Sequence, residues 1–143
     1  MPVKSKTPKE FTSSIYYYVD ATILAKTAQL LKKEDDFIKY SQLASNIKQQ
    51  INARYFDPTT SLYGSGFQTE LSTALFWGIV PEKHREKVTQ NLVKKVMTDK
   101  RHIDVGLLGS KTILNALSEN GEAELAYELA TQDDFPSWGA WIK

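Results

Sequence analysis

The sequence has no cysteine, only two histidines, and no apolar run of the roughly 18 residues a membrane span needs. Without cysteine there are no disulfides, thiolate nucleophiles or thiolate zinc sites. Two histidines are too few for most metal clusters without carboxylate help, so neither a metal centre nor a cofactor is expected. No helix is expected to cross a membrane, and the opening Met1-Pro-Val-Lys-Ser-Lys6 lacks the apolar core of a signal peptide. An excess of one charge is missing as well: 18 Lys+Arg face 17 Asp+Glu, a net +1. That balance speaks against a nucleic-acid partner, which normally demands a basic excess. Walker A, HExxH and GxSxG patterns and the Asn-x-Ser/Thr sequon are all absent. What is present is 143 residues, 41% hydrophobic and 11% aromatic. A chain of that length can bury about two thirds of its unfolded surface in one domain.

Apolar periodicity reads as helical almost throughout. Phe37, Tyr40, Ala44, Ile47, Ile51 and Tyr55 step by three or four, which predicts an amphipathic helix over about 34–56. Val88, Leu92 and Val96 predict a second over 82–98, and Leu125, Ala126, Leu129 and Ala130 a third over 122–131. All three carry many charges and should keep one wet face. Between them lie helices of another kind, expected over 8–32, 68–80 and 106–119. Phe11 to Leu31 holds only Asp20 and Lys26 as charges, Gln68 to Val80 only Glu70, and Gly106 to Ser118 only Lys111. A helix apolar nearly all round is buried on most sides. Charge-poor and charge-rich helices therefore alternate, three of each.

The links alternate too. Charge-poor helices reach their wet partners by tight turns: Lys32 to Asp35, Val80-Pro81-Glu82, and Asn120-Gly121. The return links are longer: Asp57 to Phe67, Lys100 to Val105, and Asp133 to Trp138. In a train of antiparallel helices every second link falls at the same end. All three long links should share one end with the N-termini of the charge-poor helices.

Two all-α architectures fit: a solenoid of αα-hairpins, or an α/α toroid with apolar inner and amphipathic outer helices. Solenoid repeats share a period and a signature. Here the inner helices start near 10, 68 and 107, and no signature recurs. The toroid is the expectation, with residues 1–143 supplying three antiparallel αα-hairpins, about half of an (α/α)6 ring.

The long-link end gathers the chemically unusual residues. Aromatics beside carboxylates and amides suit a sugar, whose C–H faces stack on Trp while its hydroxyls pair with polar groups. Gln68, His102, Asp104 and Trp138 are the candidate cavity-rim residues. Each also has a plainer reading. Gln68 and Thr69 cap the helix that follows, His102 is a loop or capping histidine, and Trp138 and Trp141 are packing aromatics. Asp104 and Glu70 compensate helix dipoles. The Tyr16-Tyr17-Tyr18 run is mostly core, and the mixed charges from Glu82 to Lys95 are a solvated face.

The stretch His102-Ile-Asp-Val-Gly-Leu-Leu-Gly-Ser-Lys-Thr-Ile-Leu-Asn-Ala-Leu-Ser-Glu-Asn-Gly121, with Leu125-Ala-Tyr127 and Phe135-Pro-Ser-Trp-Gly139, resembles the α-L-rhamnosidases of glycoside hydrolase family 78. Tyr63-Gly-Ser-Gly-Phe-Gln-Thr69 is similar to that family's "YG.G.QT" segment, and Val80-Pro-Glu-Lys-His-Arg-Glu-Lys-Val88 to its "VPEEHREKV". The resemblance runs from about Thr7 to Ile142. It implies an (α/α)6 barrel and removal of terminal α-L-rhamnose with inversion by two carboxylates, one protonating the leaving oxygen and one activating water. The resemblance places the general acid upstream of Thr7. It places the general base in a "GATT-(aromatic)-E" stretch about ten residues beyond Ser-Trp-Gly, past Lys143. No catalytic residue is carried over onto this chain, which is expected to be a fragment of the barrel and inactive alone.

Two other readings stay open: a helical-hairpin scaffold for a protein partner, and another α/α-toroid sugar enzyme. A groove lined by the wet helices favours the scaffold; an aromatic-lined concavity near Gly66, His102 and Trp138 favours the rhamnoside reading. Half a ring also leaves inner-helix apolar surface uncovered, so self-association is expected.

Overall fold

The computed structural model describes residues 6–142. Six helices follow in order: α1 (Lys9–Leu30), α2 (Glu34–Tyr55), α3 (Gln68–Phe76), α4 (Arg85–Thr98), α5 (Leu107–Ser118) and α6 (Ala123–Thr131). They pair as α1–α2, α3–α4 and α5–α6, while α1, α3 and α5 neighbour one another in turn. One apolar core runs through all six, with Phe11, Ile15, Ile51, Leu71, Leu75, Leu92, Ile113, Leu117 and Leu129 sealed from solvent.

Three tight turns close the hairpins in the same way. After α1, Lys33 N–H donates to Ala28 O and Lys32 N–H to Gln29 O, with Lys32 left-handed at φ +55°. After α3 the equivalent bonds are Ile79 to Ala74 and Gly78 to Leu75, with Gly78 at φ +66°. After α5 they are Glu122 to Leu117 and Gly121 to Ser118, with Gly121 at φ +91°. Each is a paired C-terminal cap that satisfies carbonyls the helix leaves open.

That cap shortens α3. Apolar periodicity carries the helix to residue 80, but it stops at Phe76 because Gly78 turns left-handed. Ile79 and Val80 are still buried, now beyond the end of the helix. Two further local features differ from the sequence reading. The first long link contains a two-residue antiparallel ladder, β1 (Phe56–Asp57) on β2 (Leu62–Tyr63), with Phe56 opposite Tyr63. The start of the fourth helix is a 3-10 turn over Glu82–His84 before α4 proper.

The charge-poor helices are not equally enclosed. Every residue of α3 from Gln68 to Leu75 is buried. By contrast α1 exposes Tyr17 (55%) and Leu30 (83%), and α5 exposes Leu107 (86%). Among the described residues, only α3 has hairpins on both sides, while α1 and α5 each have one on a single side. Burial here follows position in the layer, and low charge marks only which helices belong to it.

Where α3 and α5 run side by side, small residues set the spacing. A Cβ on Gly109 would lie 2.6 Å from the Thr69 hydroxyl and 2.7 Å from Val105 Cβ. One turn on, the hydroxyls of Ser72 and Thr112 bond at 3.0 Å, so the seam stays close and satisfied.

Candidate functional site at the N-termini of α3 and α5

The link after α4 is clasped by one side chain. Gln68, fully buried at the start of α3, donates through Nε2 to Asp99 Oδ2 (2.7 Å) and to the His102 carbonyl (3.0 Å). Its Oε1 accepts the Asp104 N–H at 3.0 Å. Lys95 in turn holds the other Asp99 oxygen. The link needs such a clasp because Lys100 and Arg101 are both left-handed, at φ +56° and +58°, a costly conformation for non-glycine residues. Gln68 therefore fixes its neighbours and has no surface to offer a ligand.

The clasp sets the direction of Asp104. Its carboxylate meets the Lys6 ammonium at 2.6 Å and is about one third exposed. It lines a hollow of about 460 Å³ with Thr12, Phe67, Thr69 and Leu108. His102 faces the third link, its Nε2 lying 3.1 Å from Asp134 Oδ1. Trp138 lines a second hollow of about 340 Å³ with Ile103, Pro136 and Ser137, where the Phe135–Pro136 peptide is cis. Val105, Gly106 and Leu107 border both hollows and form the ridge between them.

The structure thus joins Gln68, His102 and Asp104 directly and sets Trp138 across the ridge from Asp104. The side chain of Trp141 lies outside the described residues. Sequence reasoning missed Lys6 and Asp134, the partners of Asp104 and His102. No periodicity marks either, since their pairing spans distant segments.

Glu70 is sealed in its own turn. Its Oε2 accepts the backbone N–H of Ser65 (2.9 Å) and Phe67 (3.0 Å), the acidic half of a capping box at the start of α3. Burial pushes its carboxyl above the ordinary range, partly offset by the backbone donors at Phe67, Ser65 and Gly66. Gly64, at φ +55°, passes so close that a Cβ there would lie 2.8 Å from Glu70 Oε1. Burial raises the Tyr63 phenol as well, and that hydroxyl donates to Asn52 Oδ1.

An inner layer of charge-poor helices, wrapped by charge-rich partners, with long links and paired hollows at the inner N-termini, defines a piece of an α/α-toroid glycosidase domain. A model of the bacterial alpha-L-rhamnosidase 6 hairpin glycosidase domain matches residues 1–143, and the chain belongs to that family. Its three hairpins form about half of the (α/α)6 ring.

A curated alpha-L-rhamnosidase of Formosa agariphila is 26% identical over 135 residues, covering 94% of this chain and 15% of that protein. The crystal structure of the Streptomyces avermitilis alpha-L-rhamnosidase complexed with L-rhamnose superposes with a TM-score of 0.91 at 28% identity, over 98% of this chain and 13% of that one. The Dictyoglomus thermophilum enzyme gives a TM-score of 0.88 at 32% identity, over 96% and 16%. The chain therefore spans about a seventh of the length of the curated relatives it matches.

Proposed function

We propose that this chain builds one wall of the substrate cavity of an α-L-rhamnosidase, with the catalytic acid and base lying outside these residues. The observation that carries the reading is the Gln68 clasp, which draws the second link onto the N-terminus of α3 in a chain of this family. Rhamnose is a 6-deoxy sugar, with one edge of hydroxyls and one apolar methyl. Asp104 in the first hollow accepts hydroxyl hydrogen bonds, and Trp138 in the second stacks on C–H groups. Gln68 and His102 hold the link that carries Asp104. Inverting hydrolysis needs an acid and a base about 6.5–9.5 Å apart with room for water between them. Glu70 is committed to its cap and Asp104 to Lys6, which agrees with both roles falling elsewhere.

The test uses 4-nitrophenyl α-L-rhamnopyranoside and L-rhamnose. The 143-residue chain is expected to give no turnover, while L-rhamnose shifts the NMR signals of the Trp138 indole and the Asp104 amide. Hydrolysis that survives purification and disappears in Asp104→Asn would overturn this division of roles.

A further inference from the structure

We propose that Asp134 is a positioning residue for Trp138: bonded to His102, it fixes the third long link against the second and so holds the indole in its hollow. The consequence for L-rhamnose rests on the reading that this hollow takes a sugar. The placement of Trp138 does not.

The anchor on the second link is firm. His102 donates its backbone N–H to Asp99 O (3.1 Å) and accepts Gln68 Nε2 at its carbonyl (3.0 Å). Its ring is largely enclosed, and Nε2 stands 3.1 Å from Asp134 Oδ1. An ionised carboxylate only accepts, so Nε2 carries the hydrogen and donates it. A chain of contacts thus runs from α3 through Gln68 and His102 to Asp134.

The third link is a loop closed at its base. Gly139 N–H donates to Gln132 O at 3.2 Å, and a Cβ on Gly139 would collide with that oxygen and with Asp133 Cα. A loop whose ends meet so closely moves as one compact body. It can swing about Gln132 and Gly139 unless a point beyond the base is held. Asp134 is such a point, and Trp138 belongs to the same body. Pro136, Ser137 and Trp138 line the hollow from the loop, while Ile103 and Val105 line it from the second link. The bond between His102 and Asp134 therefore governs how far apart these two walls stand.

Stability is not what this bond chiefly supplies. Asp134 is 66% exposed, and an exposed pair adds little to folding. Arg101 and Glu128 form a comparable exposed pair at 3.1 Å, but it ties the second link to the body of α6 and not to the loop. Breaking that pair is the control.

The experiment follows the NMR relaxation of the Trp138 indole N–H in the whole chain and in Asp134→Ala, Asp134→Asn, His102→Ala, the Ala double variant and Glu128→Ala. Urea midpoints and L-rhamnose titrations accompany each. Asp134→Ala should lower the order of the indole and weaken L-rhamnose about fivefold, the scale of one hydrogen bond, with the urea midpoint nearly unmoved. Asp134→Asn keeps an acceptor and should restore most of both. The double variant should loosen the indole no further than Asp134→Ala does, because the two residues act as one pair. Glu128→Ala should leave the indole as in the parent chain. An indole that stays ordered in Asp134→Ala overturns the proposal, as does equal loosening in Asp134→Asn or Glu128→Ala. L-rhamnose binding with an indole that Asp134→Ala leaves ordered removes the positioning role and keeps the rhamnoside reading. Loosening by Asp134→Ala in a chain with no L-rhamnose response supports the positioning role and removes that reading.

Discussion

Thr69 and Gly109 meet where the first turns of α3 and α5 lie side by side, with no room between them for even a methyl group. Gly109→Ala should therefore cost about 1–3 kcal/mol through overpacking. Gly106→Ala, three residues earlier, has nothing within 4 Å of its new Cβ and should change stability far less. Urea unfolding of the two variants checks this; equal midpoints would show that the seam yields.

The Gln68 clasp makes a separate prediction. Gln68→Leu keeps approximate volume but removes two donors and one acceptor from a buried site, leaving the Asp104 N–H and the His102 carbonyl without their partner. A loss of about 1–3 kcal/mol per stranded group is the expected scale. The sharper readout is amide exchange: Asp104 should lose protection while Leu71 and Leu75 in the body of α3 keep theirs. Unchanged Asp104 protection would mean the link holds itself.

The raised Glu70 carboxyl links stability to pH. The folded chain binds this proton more tightly than the unfolded chain, so the contribution is full while Glu70 is protonated. It is lost as pH rises from the ordinary value of 4.5 through the raised folded value. Unfolding midpoints between about pH 4 and 7 should fall less steeply in Glu70→Gln than in the parent chain. Parallel profiles would remove Glu70 as a contributor. Asp57 does not interfere, because its carboxyl is lowered by the Thr60 hydroxyl and the Thr59 N–H, and it titrates below this window.

Helix α1 carries Tyr17, Ile23, Leu24 and Leu30, all substantially exposed. We expect the chain to bind a hydrophobic dye and to show a concentration-dependent mass in sedimentation. Leu24→Glu should reduce both. A compact monomer without dye binding would contradict the expectation.

The hairpin order was legible because charge alternates from helix to helix, and charge is the coarsest property of a solvated face. The lengths of the links were legible from Pro81, Gly121 and the polar segments between periodic runs. The end of α3 was not, since Ile79 and Val80 are as apolar in a turn as in a helix, and only Gly78 hinted at the change. Lys32 and Lys100 show the same limit, being left-handed residues with no glycine to advertise it. In the site, Gln68 was legible as important by its place at a helix start, but its role was not. One amide reaching three residues more than thirty positions away depends on the link after α4 folding back onto the start of α3, which no local pattern encodes. Glu70 follows the plain first-turn expectation, strengthened into a full cap.

The middle hairpin has a consequence for how the chain comes together. At nine residues α3 is too short to hold its shape alone in water, where isolated helices need roughly 12–15 residues even to be marginal. Its helicity is borrowed from the walls around it, yet it is the element that touches both outlying pairs. The most deeply enclosed segment is thus also the most dependent one. Any change that loosens either neighbour is felt first at the start of α3, where Gln68 and Thr69 stand.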